Sequence, residues 1–209
     1  MIQFEQAIET CPLIGILRGI EPKAAKQLGH ILYEAGLRVL EVPINSPDPF
    51  RSITILRETL PRDCVVGAGT LMSTQDLEDL HAAGGQVAVM PHTNPLLIQR
   101  SIELGLLPIP GVFTPSEMFA AIQAGAMHLK IFPANVIGQD LVRAARAVLP
   151  KEVKLYAVGG INPDSLRTWQ LIDGFGVGSS LFRPSDTPEL IQKKATSLVA
   201  AARTWLRRG

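Results

Sequence analysis

The sequence predicts an α/β chain folded as a (β/α)8 TIM barrel, on three observations. Eight short apolar runs recur, at residues 12–19, 39–44, 65–69, 87–91, 107–111, 128–133, 154–160 and 175–181. Most are continuously apolar rather than alternating, the pattern of parallel strands covered on both faces. A helical pattern follows each run, and successive runs begin 20 to 27 residues apart, the repeat of a compact βα unit. The competing architecture is an open, doubly wound sheet. It normally carries fewer strands at this length, and no G-x-G-x-x-G turn follows the first run.

The intervening segments carry helix signals in chain order. Ala24, Leu28, Ile31, Leu32 and Ala35 share one helical face, and Gly36 stands at the C′ position. Ser73 and Asp76 form a variant capping box. Thr114-Pro115-Ser116-Glu117 supplies a cap, a proline at the first helical position and a glutamate three residues on. Asn162-Pro163 and Thr187-Pro188 repeat the cap-then-proline device. Ile191, Ala195, Leu198, Val199 and Ala202 form the buried stripe of the last helix. No linker or low-complexity tract interrupts the pattern, so residues 1–209 are read as a single barrel domain.

Composition narrows the function classes. Hydrophobic residues make up 46% and charged residues 19%, as in a soluble globular chain. A formal net charge of +1, with no basic block beyond Arg207-Arg208, argues against a nucleic-acid surface. No apolar run is long enough to span a bilayer, and no secretory signal is read at the N-terminus. Cys11 and Cys64 are isolated, without C-x-x-C spacing, which favours a reducing cytoplasm over a disulfide scaffold or zinc site.

Barrel active sites gather at the C-terminal ends of the strands, so polar residues late in apolar runs draw notice. Arg18 ends the first run, Glu41 lies within the second, Thr70 follows the third, His92 the fourth, and Lys130 sits in the sixth. Of seven lysines, only Lys130 lies inside a run that reads as buried. Burying an ammonium lowers its pKa, and the neutral amine is a nucleophile for a carbonyl carbon. The alternatives are structural: Lys130 snorkelling or paired with a carboxylate, Glu41 as that partner, Thr70 as a cap. His30, His81 and His128 are not spaced to share a metal with a carboxylate, so a metal-dependent barrel is disfavoured and no metal ligand is assigned. Gly159-Gly160 closes the seventh run and Gly178-Ser179 lies in the eighth, where barrels often bind phosphate. A neutral lysine, a carboxylate, an arginine and a phosphate cradle suggest Schiff-base cleavage of a phosphorylated 2-keto acid. Lys130 would attack the ketone, Glu41 would move protons, Arg18 and Thr70 would hold the carboxylate, and no cofactor would be needed.

The matching stretches are Ile16-Leu17-Arg18-Gly19, Glu41-Val42-Pro43-Ile44-Asn45-Ser46-Pro47, Gly67-Ala68-Gly69-Thr70, Leu129-Lys130-Ile131-Phe132-Pro133-Ala134, Val158-Gly159-Gly160 and Gly178-Ser179. In this order the chain resembles the bacterial class I aldolases that cleave 2-keto-3-deoxy-6-phospho sugar acids. The resemblance implies Lys130 as the Schiff-base lysine and Glu41 as the proton shuttle. It implies substrate contacts from Arg18, Thr70, Pro91, Phe132 and Val158, and phosphate contacts from Gly159, Gly160, Gly178 and Ser179. It also implies pyruvate and a sugar-acid phosphate as ligands, and a homotrimer. Pro43-Ile44-Asn45-Ser46 stands where the gluconate branch carries Thr-Leu-Arg-Thr, and Val158 where that branch carries threonine. The chain therefore resembles the galactonate branch, although Ser180 replaces an expected acidic residue. Action on the gluconate epimer, or on both, is the alternative. A non-catalytic sugar-phosphate-binding barrel is the rival from another class. A pentulose-phosphate epimerase lacks its metal set here, and a thiamine-phosphate synthase offers no role for Lys130.

Overall fold

The computed structural model describes residues 2–207. Arg208, the second half of the C-terminal basic pair, lies outside the described residues, as do Met1 and Gly209 at the ends of the predicted 1–209 domain. The elements run α1 (Ile2–Thr10), β1 (Leu13–Ile16), α2 (Pro22–Ala35), β2 (Val39–Pro43), α3 (Pro49–Thr59), β3 (Val65–Gly69), α4 (Thr74–Ala82), β4 (Val87–Val89), α5 (Pro95–Glu103) and β5 (Leu107–Ile109). They continue with β6 (Gly111–Val112), α6 (Pro115–Gln123), β7 (His128–Ile131), α7 (Ala134–Arg146), β8 (Lys154–Val158), α8 (Pro163–Leu166), β9 (Gly174–Val177) and α9 (Pro188–Leu206).

All pairings are parallel, in the order β5-β4-β3-β2-β1-β9-β8-β7-β6. The two edges, β5 and β6, are halves of one predicted run split at Pro110, which has no N–H to donate to a ladder. β5 pairs with β4 and β6 with β7, while the Pro110 carbonyl accepts the Lys130 N–H at 2.8 Å. The split strand thus completes the ring, and the predicted (β/α)8 barrel is what the chain forms. Several strands are shorter than their apolar runs. The first ends at Ile16 rather than Gly19, and the seventh at Val158 rather than Gly160. Those runs include glycine turns, where the ladder stops: Gly19 has φ +85°, Gly159 +108° and Gly160 +71°.

The predicted helix signals take their roles. Ser73 and Thr114 accept from the N3 backbones of α4 and α6, and Asp76 and Glu117 return the bond to the caps. Asn162 and Thr187 cap α8 and α9 ahead of their prolines, and Gly36 ends α2 in the left-handed conformation. The buried stripe of α9 contains all five predicted residues.

Two apolar layers result. The larger lies between strands and outer helices, with Leu32, Leu40, Leu56, Val66, Leu129 and Phe175 among its members. The smaller fills the barrel's N-terminal half, where Ile14, Val39, Val65, Val87, Val89, Leu107, Ile109 and Tyr156 meet Phe4, Ala7 and Ile8 of α1. The sequence reading contained no α1. This helix stops the bottom of the barrel, with the Phe4 ring edge-on to His128 at 5.2 Å and to Tyr156 at 5.9 Å. The apolar plug leaves the opposite mouth as the polar end.

Phe4→Ala would leave a hole in that plug. Urea unfolding should show a loss of about 3 kcal/mol, the usual scale for a buried phenylalanine. An unchanged midpoint would mean that α1 does not close the barrel.

Candidate active site

Side chains alternate in and out along a strand, and the register turns the last inward positions of several strands toward one mouth. Glu41 is the third residue of β2, paired with Ile16 and Gly67, and Lys130 is the third of β7, paired with Gly111 and Tyr156. Glu41 is 2% exposed and Lys130 8% exposed. Gly69, near Glu41 on β3, has no alternative: any Cβ there would run into the Glu41 carboxyl group.

Burial dominates the titration of both groups. It raises Glu41 from 4.5 to about 7, while the positive charges of Lys130 and Arg18 pull it back down. Burial lowers Lys130, Glu41 opposes that shift, and Arg18 adds to it. Glu41 Oε2 is enclosed and has no hydrogen-bond partner among the described residues, an acceptor left open in a closed mouth. Lys130 forms no salt bridge among the described residues. Its Nζ lies 4.4 Å from the centre of the Phe132 ring, within cation–π range when protonated.

Arg18 does not end the first strand as predicted. Leu17 N–H donates to the Glu41 carbonyl and Ile20 N–H to the Leu17 carbonyl, so the chain turns and Arg18 stands in the loop beyond β1. Its guanidinium is exposed, with Nη1 donating to Asn45 Oδ1 at 2.5 Å and Nη2 to Thr70 Oγ1 at 3.4 Å. Thr70 holds φ +63°, a left-handed conformation disfavoured for a β-branched residue and typical of functional loops.

The two glycine loops are tied together. Val158 is buried at the end of β8 beside Gly176, and left-handed Gly159 and Gly160 follow it. After β9 the Gly178 carbonyl accepts from Leu181 and Phe182, folding a turn that carries Ser179 and Ser180. Ser180 Oγ donates to the Ile161 carbonyl at 2.7 Å. Serine at this position thus links the loops after β8 and β9, a role an ionised carboxylate, with no proton to donate, would not fill. Pro91 is half-buried two residues past β4, its carbonyl against Gly111, and His92 is exposed. The structure brings Glu41, Lys130 and Arg18 into electrostatic contact and joins Arg18 to Thr70. No side-chain hydrogen bond or salt bridge joins Pro91 or His92 to that group among the described residues. Sequence reasoning gave no role to Asn45, Ser46 or the Ser180 latch; the one signal was a polar pair, Asn45-Ser46, directly after an apolar strand.

A cavity of about 490 Å³ opens at the other end of the barrel, lined by Phe4, Val87, Leu107, Met127 and His128 among others. It contains none of the predicted site residues and no lysine or carboxylate.

The family model for KDPG and KHG aldolases matches residues 4–200. A probable 2-dehydro-3-deoxy-6-phosphogalactonate aldolase of Rhizobium meliloti is 41% identical over 192 residues, covering 91% of each chain. A 2-dehydro-3-deoxy-6-phosphogalactonate aldolase of Escherichia coli is 37% identical over 198 residues, covering 92% of this chain and 95% of that one. The solved structure described as native KDPGal superposes with a TM-score of 0.91 at 35% identity, covering 94% of this chain and 96% of that one.

The raised Glu41 pKa sets a pH signature on stability. Below 4.5 the carboxyl is protonated in both folded and unfolded chains; between 4.5 and about 7 only the unfolded chain ionises. Glu41 therefore draws stability down as pH rises through that window, and the penalty is constant above it. Glu41→Gln removes the titration. In urea unfolding over a pH series, its stability relative to the native chain should climb from pH 4.5 to about 7 and then level. A pH-independent difference would contradict the shifted carboxyl.

Proposed function

The chain belongs to the KDPG and KHG aldolase family, and on that premise we propose that it cleaves 2-dehydro-3-deoxy-6-phospho-D-galactonate to pyruvate and D-glyceraldehyde 3-phosphate. The reaction makes it a carbon–carbon lyase working through a Schiff base on Lys130. The observation that carries the mechanism is the burial of Lys130 and Glu41 in one mouth, where each shifts the other's titration.

Neutral Lys130 Nζ adds to the C2 ketone, giving a carbinolamine. Loss of water leaves a protonated imine, which is an electron sink. Glu41 accepts the C4 hydroxyl proton; the C3–C4 bond breaks, its electron pair passes into an enamine, and the aldehyde departs. Protonation at C3 and hydrolysis of the imine release pyruvate and restore the amine. A carboxyl titrating at about 7 suits these alternating transfers near neutral pH. Arg18 and Thr70 take the substrate carboxylate, Pro91, Phe132 and Val158 line the pocket, and Gly159, Gly160, Gly178 and Ser179 receive the phosphate.

The galactonate epimer is favoured by the two curated relatives named for it and by Val158, which offers no hydrogen bond where a hydroxyl would distinguish C4 configurations. A homotrimer is part of the proposal. Met72, Leu96, Phe113 and Val136, exposed apolar residues on or beside the loops after β3, β4, β6 and β7, are suited to burial against another copy. Cytoplasmic residence fits the two buried free cysteines, Cys11 and Cys64. No described helix is long and apolar enough to cross a membrane.

Borohydride reduction in the presence of pyruvate should fix one adduct on Lys130, read by intact mass and peptide mapping. Lys130→Ala should lose both the adduct and about three or more orders of magnitude in cleavage rate; near-normal turnover would exclude the imine route. Val158→Thr should shift the ratio of kcat/KM toward the gluconate epimer by roughly tenfold, the scale of one substrate hydrogen bond. An unchanged ratio would remove this residue from epimer choice.

A further inference from the structure

We propose that Asn45 and Ser46 are positioning residues that clamp Arg18 for the carboxylate of the 2-keto acid. The proposal rests on the aldolase reading above. Arg18 lies in a loop, exposed, on a side chain that loses considerable rotamer freedom when held in one pose. Two adjacent residues of the loop after β2 restrain it from two directions. Asn45 Oδ1 accepts from the guanidinium at 2.5 Å. Ser46 Oγ accepts from the backbone N–H of Gly19, the next residue, at 2.9 Å. Ser46 is buried, and its own N–H is fixed to the Pro43 carbonyl at 2.9 Å, so the clamp is anchored on β2, the strand that carries Glu41.

The chemistry of the clamp matters as much as its geometry. Asn45 and Thr70 are the hydrogen-bond partners of the Arg18 side chain among the described residues, and both are neutral. They orient the fork without cancelling its charge. A carboxylate at position 45 would orient it equally well and compete with the incoming anion. Gly19 allows the tight approach: it has φ +85°, and a Cβ there would strike Pro184. The arginine of the carboxylate subsite is thus aimed from the same strand as the proton shuttle, which fixes the spacing between the two groups.

The test is steady-state kinetics of aldol synthesis from pyruvate and D-glyceraldehyde 3-phosphate, because only pyruvate carries the carboxylate. Asn45→Ala should raise the KM for pyruvate about tenfold, the scale of one charge-assisted hydrogen bond, and leave the KM for the aldehyde within about twofold. Asn45→Asp, nearly isosteric, should raise the pyruvate KM at least as much, because it neutralises Arg18. Ser46→Ala should give a smaller change in the same parameter. An unchanged pyruvate KM in Asn45→Ala, or equal changes in both KM values, would overturn the clamp. So would a native pyruvate KM in Asn45→Asp. Borohydride trapping of the native chain with pyruvate separates the two claims. No adduct there sinks the aldolase reading itself, whereas an adduct with unaltered Asn45→Ala kinetics sinks only the clamp.

Discussion

Withdrawing Lys130 and Glu41 from water raises the free energy of both charged forms, and the architecture of the barrel mouth reflects how that is resolved. Each group alone would simply neutralise. Burial raises Glu41 to about 7 and lowers Lys130, and the attraction between the two charges opposes both shifts. A carboxyl that titrates at about 7 and an amine held below its usual range exchange a proton more readily than two fully solvated groups would. A surface lysine and glutamate would remain firmly ionised, with neither nucleophile nor acid available near neutral pH. Arg18 biases the balance by disfavouring a second cation, which keeps Lys130 toward the free amine.

The scaffold makes room for that pair by subtraction. A side chain at Gly69 would occupy the Glu41 carboxyl site, and Gly111, next to Lys130, lies too close to the Pro91 carbonyl for any Cβ. Below this layer the barrel is apolar and closed by Phe4. A low-polarity floor adds to the burial that raises Glu41 and lowers Lys130. The break at Pro110 has a similar local consequence. Its free carbonyl takes the Lys130 N–H, anchoring the lysine backbone where the ring of strands closes.

Much of this was legible in the sequence because burial leaves a compositional mark. Lysine within Leu129-Lys130-Ile131 and glutamate within Leu40-Glu41-Val42 violate the apolar pattern of strands, and caps such as Thr114-Glu117 are local. The α1 helix was not legible: Phe4, Ala7 and Ile8 form a short stripe whose partner is the inside of a barrel assembled from distant residues. Strand ends were overrun because glycine turns are as apolar as the strands they follow. The contacts made by Asn45, Ser46 and Ser180 were not legible for another reason. Their partners, Arg18, Gly19 and Ile161, are brought to them by the folding of separate loops, and a single polar residue in a loop has no pattern to break.

The proposed function gives the two ends of the site different ways of handling an anion. At its carboxylate end a full positive charge is kept available, because the side-chain partners of Arg18 among the described residues, Asn45 and Thr70, are neutral. The loops after β8 and β9 are shaped by left-handed Gly159 and Gly160 and tied by the Ser180–Ile161 bond, and in the proposed function they receive the phosphate on backbone N–H groups. Arg18 helps to keep the Lys130 amine neutral, while on the same proposal a second cation at the phosphate loops would hold the phosphorylated aldehyde more tightly after cleavage. Dipolar binding at that end would recognise the phosphate without strongly opposing product release.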